Sequence, residues 1–87
     1  MKTYVSEFIG TLFFLFVIIA TKDPIAIGAA LAITIVLLGP ISGSHVNPAV
    51  SLMLFAGGEM NKSDLLPYIT AQIAGGLSAY QLHSLLK

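Results

Sequence analysis

Few residues in this sequence are able to do chemistry. Glu7 is a lone carboxylate inside an apolar run; the others are His45, the pair Asn47-Pro48, and the Gly- and Ser-rich stretch just before them. An ionisable group within a membrane-length run is a functional candidate by default. Small dual-topology proton-coupled exporters and proton-conducting rotor-ring subunits each work with one such carboxylate. His45 can change charge near neutral pH and is a candidate gate, with loop packing or pore lining as the alternative. With no Cys, Asp or second His nearby it makes a poor metal site. No nucleophile stands with a base and an orienting acid, so neither an enzyme nor a cofactor is expected.

Asn47-Pro48 is the most specific of these signals. Asn is a good N-cap, and Pro fits the first helical position. With the Asn47 side-chain oxygen capping the amide near Val50, its NH2 group stays free to donate. The carbonyls of Gly43, Ser44, His45 and Val46 form a run of acceptors leading up to that donor. The helix start also brings the positive end of its dipole. A central donor with acceptors on the approach suits a neutral hydrogen-bonding solute and opposes cations. A soluble-type loop with an Asn-Pro turn is the alternative.

The elements that must position these groups follow from composition. Of 87 residues, 9% are charged and 56% hydrophobic, with a mean hydropathy of +0.93. An average soluble domain is about a quarter charged, and so few charges cannot keep a surface of this size wet. The chain is too apolar for disorder. A net charge of zero makes nucleic acid an unexpected partner, and the absence of Cys excludes disulfides and thiolate metal sites. Apart from Glu7, the charges fall at the ends or in two breaks: Lys2; Lys22 and Asp23; Glu59, Lys62 and Asp64; Lys87. The pattern predicts an integral, multi-pass, all-α membrane protein in the lipid bilayer, a single unit over 1–87 with transmembrane helices at roughly 4–21, 25–39 and 63–86. A signal peptide competes for the first run, but Glu7 interrupts it and no small-x-small site precedes Lys22.

Pro24 opens the second span, Gly39-Pro40 closes it, and Ser63 or Asp64 starts the third, with Pro67 in its first turns. Residues 41–57 are different. Irregular backbone precedes Ala49–Ala56, about 12 Å of helix against a hydrocarbon core of about 30 Å. This predicts a re-entrant half-helix, tolerated at membrane depth only where protein buries its backbone or it lines a wet cavity. Small residues recur at helical spacing: Ser6 and Gly10; Ala26, Ala30 and Thr34; Ala71, Gly75 and Ala79, with Gly76 beside them. They predict close helix packing rather than a site. Tyr4, Tyr68 and Tyr80 are expected in an interfacial aromatic belt, with His83 also interfacial.

SGSHVNPAVSL, residues 42–52, resembles the first Asn-Pro-Ala motif of the aquaporin (major intrinsic protein) family. SEFIGTLFF resembles the start of that family's first helix and YITAQIAGG its third. The resemblance implies half of an aquaporin-like fold, three transmembrane helices plus one re-entrant half-helix, in a passive channel for water or small neutral solutes. It implies Asn47 as the donor at the pore centre, with Pro48 and Ala49 packing against a facing half-helix. Gly43, Ser44 and His45 would offer the carbonyl ladder. Glu7 and Gln72 would be buried polar residues that hydrogen-bond the re-entrant loop, which makes Glu7 structural rather than proton-carrying.

Two departures from the family stand out. A complete member has two inverted halves, and this sequence matches one. It is either a fragment or accessory membrane subunit that does not conduct, or a half completed by a complementary second half or another copy. Lys2 and Lys62 would face one side, Lys22 and Lys87 the other, so no positive-inside bias orients the chain. Insertion both ways would allow an antiparallel homo-oligomer, a dimer or higher, that copies the inverted repeat. The stretch PIAIGAALAIT also looks more like the family's second half than its first. The second departure is the lack of Arg. Val50 stands where the family commonly has Arg after its second motif, implying a wider or more apolar filter, with water against glycerol left open.

Overall fold

The computed structural model describes residues 1–87. It contains four helices and no strand: α1 (Lys2–Thr21), α2 (Pro24–Ser42), α3 (Pro48–Ala56) and α4 (Lys62–Leu86). α1 and α2 are long and apolar enough to cross a membrane. α4 is longer, at 25 residues, but carries more polar side chains.

The α1–α2 turn is two residues long because its caps are local. Lys22 takes the left-handed conformation, with its N–H on the Ile18 carbonyl at 3.0 Å. Asp23 then accepts from the Ala26 amide at 2.8 Å, with Pro24 at the first helical position. So short a turn makes α1 and α2 antiparallel, and Ser42 returns beside Ser6. α4 runs parallel to α1: Tyr4 donates to Asp64 at 2.7 Å near one end, and Phe16 meets His83 edge-to-face at 6.0 Å near the other.

The small residues lie where helices meet. Ser6, Gly10, Ala30, Thr34, Gly75 and Ala79 are buried, while Ala26, Ala71 and Gly76 are partly covered. A Cβ on Gly75 would sit 2.6 Å from the Phe8 carbonyl oxygen, and one on Gly10 the same distance from Leu38 Cδ1. Gly76 faces Leu15 at 2.9 Å. Only at Gly75 is the obstacle helix backbone, so there glycine is what lets two helices approach this closely; at Gly10 and Gly76 a leucine end would have to shift.

Several helix boundaries differ from those expected, and α1 starts at Lys2 rather than at 4. α2 does not stop at 39; it continues through Pro40 to Ser42. Pro40 lacks an amide to donate and crowds the carbonyl four residues back, but it lies in the last turn, and Gly43, at φ 87°, closes the helix by donating its N–H to the Gly39 carbonyl at 2.9 Å. α4 starts at Lys62, one residue before Ser63, with Asn61 as an N-cap that makes no side-chain bond.

α3 is the short element, nine residues long. The chain leaves α2 beside Ser6, reaches Gly10 with Val46, and returns along α3 to the end where α4 begins. Gly57 and Gly58 turn it back, with the Glu59 amide on the Leu54 carbonyl at 2.8 Å. Polarity is distributed opposite to that of a soluble domain. Of 14 buried residues, eight are polar or charged, while Ile33, Val36, Leu37, Leu66 and Leu77 face outward. The polar interior is where α1, α4 and the 43–47 loop meet.

Candidate functional site

The loop before α3 has unusual backbone. Gly43, Ser44 and Val46 have φ of 87°, 52° and 46°. The left-handed region costs an L-residue about 1–2 kcal/mol, and a β-branched valine there is an outlier. Such conformations persist only where surroundings over-determine them. Here the surroundings are Glu7, fully buried on α1. Its Oε2 accepts from the Ser42 hydroxyl at 2.6 Å and the His45 amide at 3.1 Å. Its Oε1 accepts from the Val46 amide and from Gln72 Nε2, both at 2.9 Å. Both oxygens therefore meet only donors, the pattern a carboxylate satisfies as a pure acceptor.

Further ties hold the same loop. Gln72 Nε2 donates a second bond to the Ser51 hydroxyl on α3 at 2.9 Å, and Ser51 Oγ lies 2.8 Å from His45 Nδ1. Tyr68 donates to the Ser42 carbonyl at 2.7 Å, and its ring centroid is 4.8 Å from that of His45. Tyr68 was expected in an interfacial belt; it is buried instead, because its hydroxyl and ring both serve the loop. Tyr4 is committed to Asp64, and Tyr80 is exposed.

Asn47, extended at φ −161°, begins α3. Its Oδ1 accepts from the Ala49 amide at 2.8 Å, one residue before the Val50 amide expected. Val50 donates instead to the Asn47 carbonyl at 3.0 Å. The Asn47 Nδ2 group and the carbonyls of Gly43, Ser44, His45 and Val46 make no hydrogen bond within the chain. Asn47 lines an open groove of about 460 Å³ with Val46, Pro48, Thr11, Gln72 and Leu15. Ala49 is exposed and Val50 partly so. A second, polar basin of about 370 Å³ opens on the loop side, lined by Ser42, His45, Glu59, Asn61, Asp64 and Tyr68.

The structure thus brings Glu7, Gln72, His45 and Val46 into one cluster and puts Asn47 and Pro48 on the groove beside it. Gly10, Gly75 and Gly76 lie on the helix contacts, with Ala79 buried and Ala71 partly covered. Sequence reasoning missed Ser51, Ser42, Tyr68 and Thr11. The available signal was a lone hydroxyl in an apolar run: Ser51 follows Asn47 by one helical turn, on the face that meets α4.

The model of the family described as major intrinsic protein matches residues 1–87, the full sequence given. The chain belongs to the major intrinsic protein family. Among curated relatives, aquaglyceroporin AqpS of Rhizobium meliloti is 42% identical over 74% of this chain and 28% of its own length. Glycerol uptake facilitator protein-like 6 of Lactiplantibacillus plantarum is 38% identical over 91% of this chain and 41% of its own. Aquaporin Z of Bradyrhizobium diazoefficiens is 35% identical over 94% and 40%. The chain therefore spans about two-fifths or less of these major intrinsic proteins. Membership makes it an integral, multi-pass membrane protein and sets it apart from enzymes.

Proposed function

We propose that the chain is one half of a passive channel for water or small neutral solutes. α1, α2 and α4 span the bilayer, and residues 43–56 form the re-entrant segment. Asn47 supplies the central donor, and the carbonyls of Gly43 to Val46 form the ladder of acceptors that leads to it. The observation that carries this reading is the set of unused hydrogen-bonding groups in and around a strained, braced loop: four consecutive carbonyls and one amide, none paired within the chain. In a membrane interior such groups are tolerated where they line a wet cavity. A neutral molecule that both donates and accepts satisfies each in turn, while the helix start and the Asn47 donor oppose cations.

The groove beside Asn47 is open, so the path needs a second wall. An inverted half supplies it, either a second copy of this chain or a complementary segment. Proton coupling through Glu7 has less support, because each of its oxygens is already occupied by two donors. The relatives' names speak of glycerol and water channels, and this chain's lack of Arg is compatible with either solute.

Osmotic shrinkage of liposomes holding the purified chain tests the reading. Water flux above empty liposomes, reduced by Asn47→Asp, is the expected result. Flux equal to empty liposomes at verified insertion refutes conduction by this chain alone.

A further inference from the structure

Ser51 lies outside the pore groups proposed above, yet it is fully buried and bonded on two sides. The donor directions along this chain of contacts can be worked out from Glu7. Glu7 accepts only, so the Gln72 group 2.9 Å from it must be the amide nitrogen; the flipped amide would set oxygen against carboxylate. The same nitrogen donates to Ser51 Oγ at 2.9 Å. Ser51 has one hydrogen, and the other neighbour of its hydroxyl is His45 Nδ1 at 2.8 Å. Ser51 is fully buried, so accepting from both neighbours would leave its hydrogen unpaired; with Gln72 donating to it, the pairing that satisfies every group has Ser51 donating to Nδ1. Nδ1 is then an acceptor, and a neutral His45 carries its proton on Nε2.

Nε2 makes no bond within the chain, and His45 lines the loop-side basin. We propose that Ser51 is a positioning residue that fixes His45 as an Nε2–H donor facing this basin. The basin then offers a solute one fixed donor before the carbonyl ladder, and the basic lone pair of the imidazole is turned inward and capped. A capped histidine cannot take a proton from the path on one nitrogen and release it from the other. The inference rests on reading the loop as lining a solute path, but the state of the imidazole is measurable without any flux.

The charged and titratable groups around His45 come from three directions. On α1, Glu7 accepts its backbone amide. On α4, Tyr68 packs against its ring at a tilt of 46°, with Asp64 in the same basin, and Glu59 lines that basin from the 57–61 turn. None of them approaches Nδ1, which Ser51 occupies.

The test is side-chain 15N NMR of the full chain in lipid bicelles at pH 8, above the ordinary histidine range. His83→Gln in all samples leaves His45 as the only signal. The wild-type sequence and Ser51→Thr are expected to show a single Nε2–H tautomer with Nδ1 shifted as a hydrogen-bond acceptor. Ser51→Ala is expected to lose that Nδ1 shift and to move the tautomer ratio about five- to tenfold toward Nδ1–H, the factor set by one ordinary hydrogen bond. A proton on Nδ1 with Ser51 present overturns the proposal, as does Ser51→Ala leaving both nitrogen shifts unchanged. In liposomes, Ser51→Ala is expected to raise proton leak several-fold over Ser51→Thr. If the NMR result holds while neither form conducts water, the channel reading fails and the positioning role stands.

Discussion

Replacing Gly75 by alanine adds a single methyl group at the tightest contact between α1 and α4. The new Cβ would lie 2.6 Å from the Phe8 carbonyl oxygen, and 3.1 Å from both the Leu12 amide nitrogen and Thr11 Cβ. Two of these three neighbours are helix backbone, which has no rotamer to change. Relief to 3.0 Å requires at least 0.4 Å of separation between the helices. Overpacking of this kind costs typically about 1–3 kcal/mol, and rigid neighbours argue for the upper end. Alanine's better helix propensity returns about 1 kcal/mol. The net expectation is destabilisation by about 2 kcal/mol.

Gly28→Ala is the matched control. Gly28 is also inside a helix, but nothing lies within 4 Å of the position its Cβ would take. Only the propensity term acts there, so this variant should gain up to about 1 kcal/mol. The pair should therefore differ by about 3 kcal/mol, read as reversible unfolding of each full chain in lipid bicelles. Equal stabilities for the two variants would refute the close backbone approach, and with it the parallel docking of α4 on α1. The separation should also be felt one turn away, as faster exchange of the Val46 amide that Glu7 holds.

Other perturbations probe the loop and its bracing. Glu7→Gln sets an NH2 group against two of the four donors now on the carboxylate and should cost about 3 kcal/mol in the same unfolding assay. Any channel that still assembles should keep its ratio of water to glycerol flux, and an unchanged stability would mean that Glu7 does not brace the loop. Ser44→Gly should stabilise by about 1 kcal/mol, since it relieves a left-handed serine and removes a buried, unpartnered hydroxyl while adding freedom to the unfolded chain. A loss of stability there would show that the hydroxyl has a partner in the folded protein.

The elements were legible in the sequence because each leaves a local mark. Asp23-Pro24 and Asn47-Pro48 announce helix starts, and Gly57-Gly58 announces a stop, all through caps that act within four residues. The end of α2 was misread because Pro40 looks like a terminator, yet it sits in the last turn, where its disruption is confined and Gly43 caps the helix just beyond it. The start of α4 was off by a residue because Asn61 caps without its side chain. What the sequence hid was the wiring. Nothing in the spacing says that Ser51 meets both Gln72 and His45, or that Tyr68 turns inward rather than joining a belt. Those are contacts between residues of different helices, set by three-dimensional packing and not by periodicity.

The bracing of the loop constrains the order of events in biosynthesis. Ser42, His45 and Val46 bond to Glu7 across 35 to 39 residues of chain, and Gln72 completes the same carboxylate from 65 residues away. A chain that enters a bilayer from its N-terminus presents Glu7 first, with none of its partners. The loop follows with part of its support missing, since Tyr68 and Gln72 both belong to the last helix. Residues 43–56 are therefore expected to hold their strained path less firmly until Tyr68 and Gln72 arrive. The circuit closes only when α4 docks. The last helix is thus the latch of the fold, and a substitution such as Gly75→Ala should delay closure of the loop as well as weaken the finished protein.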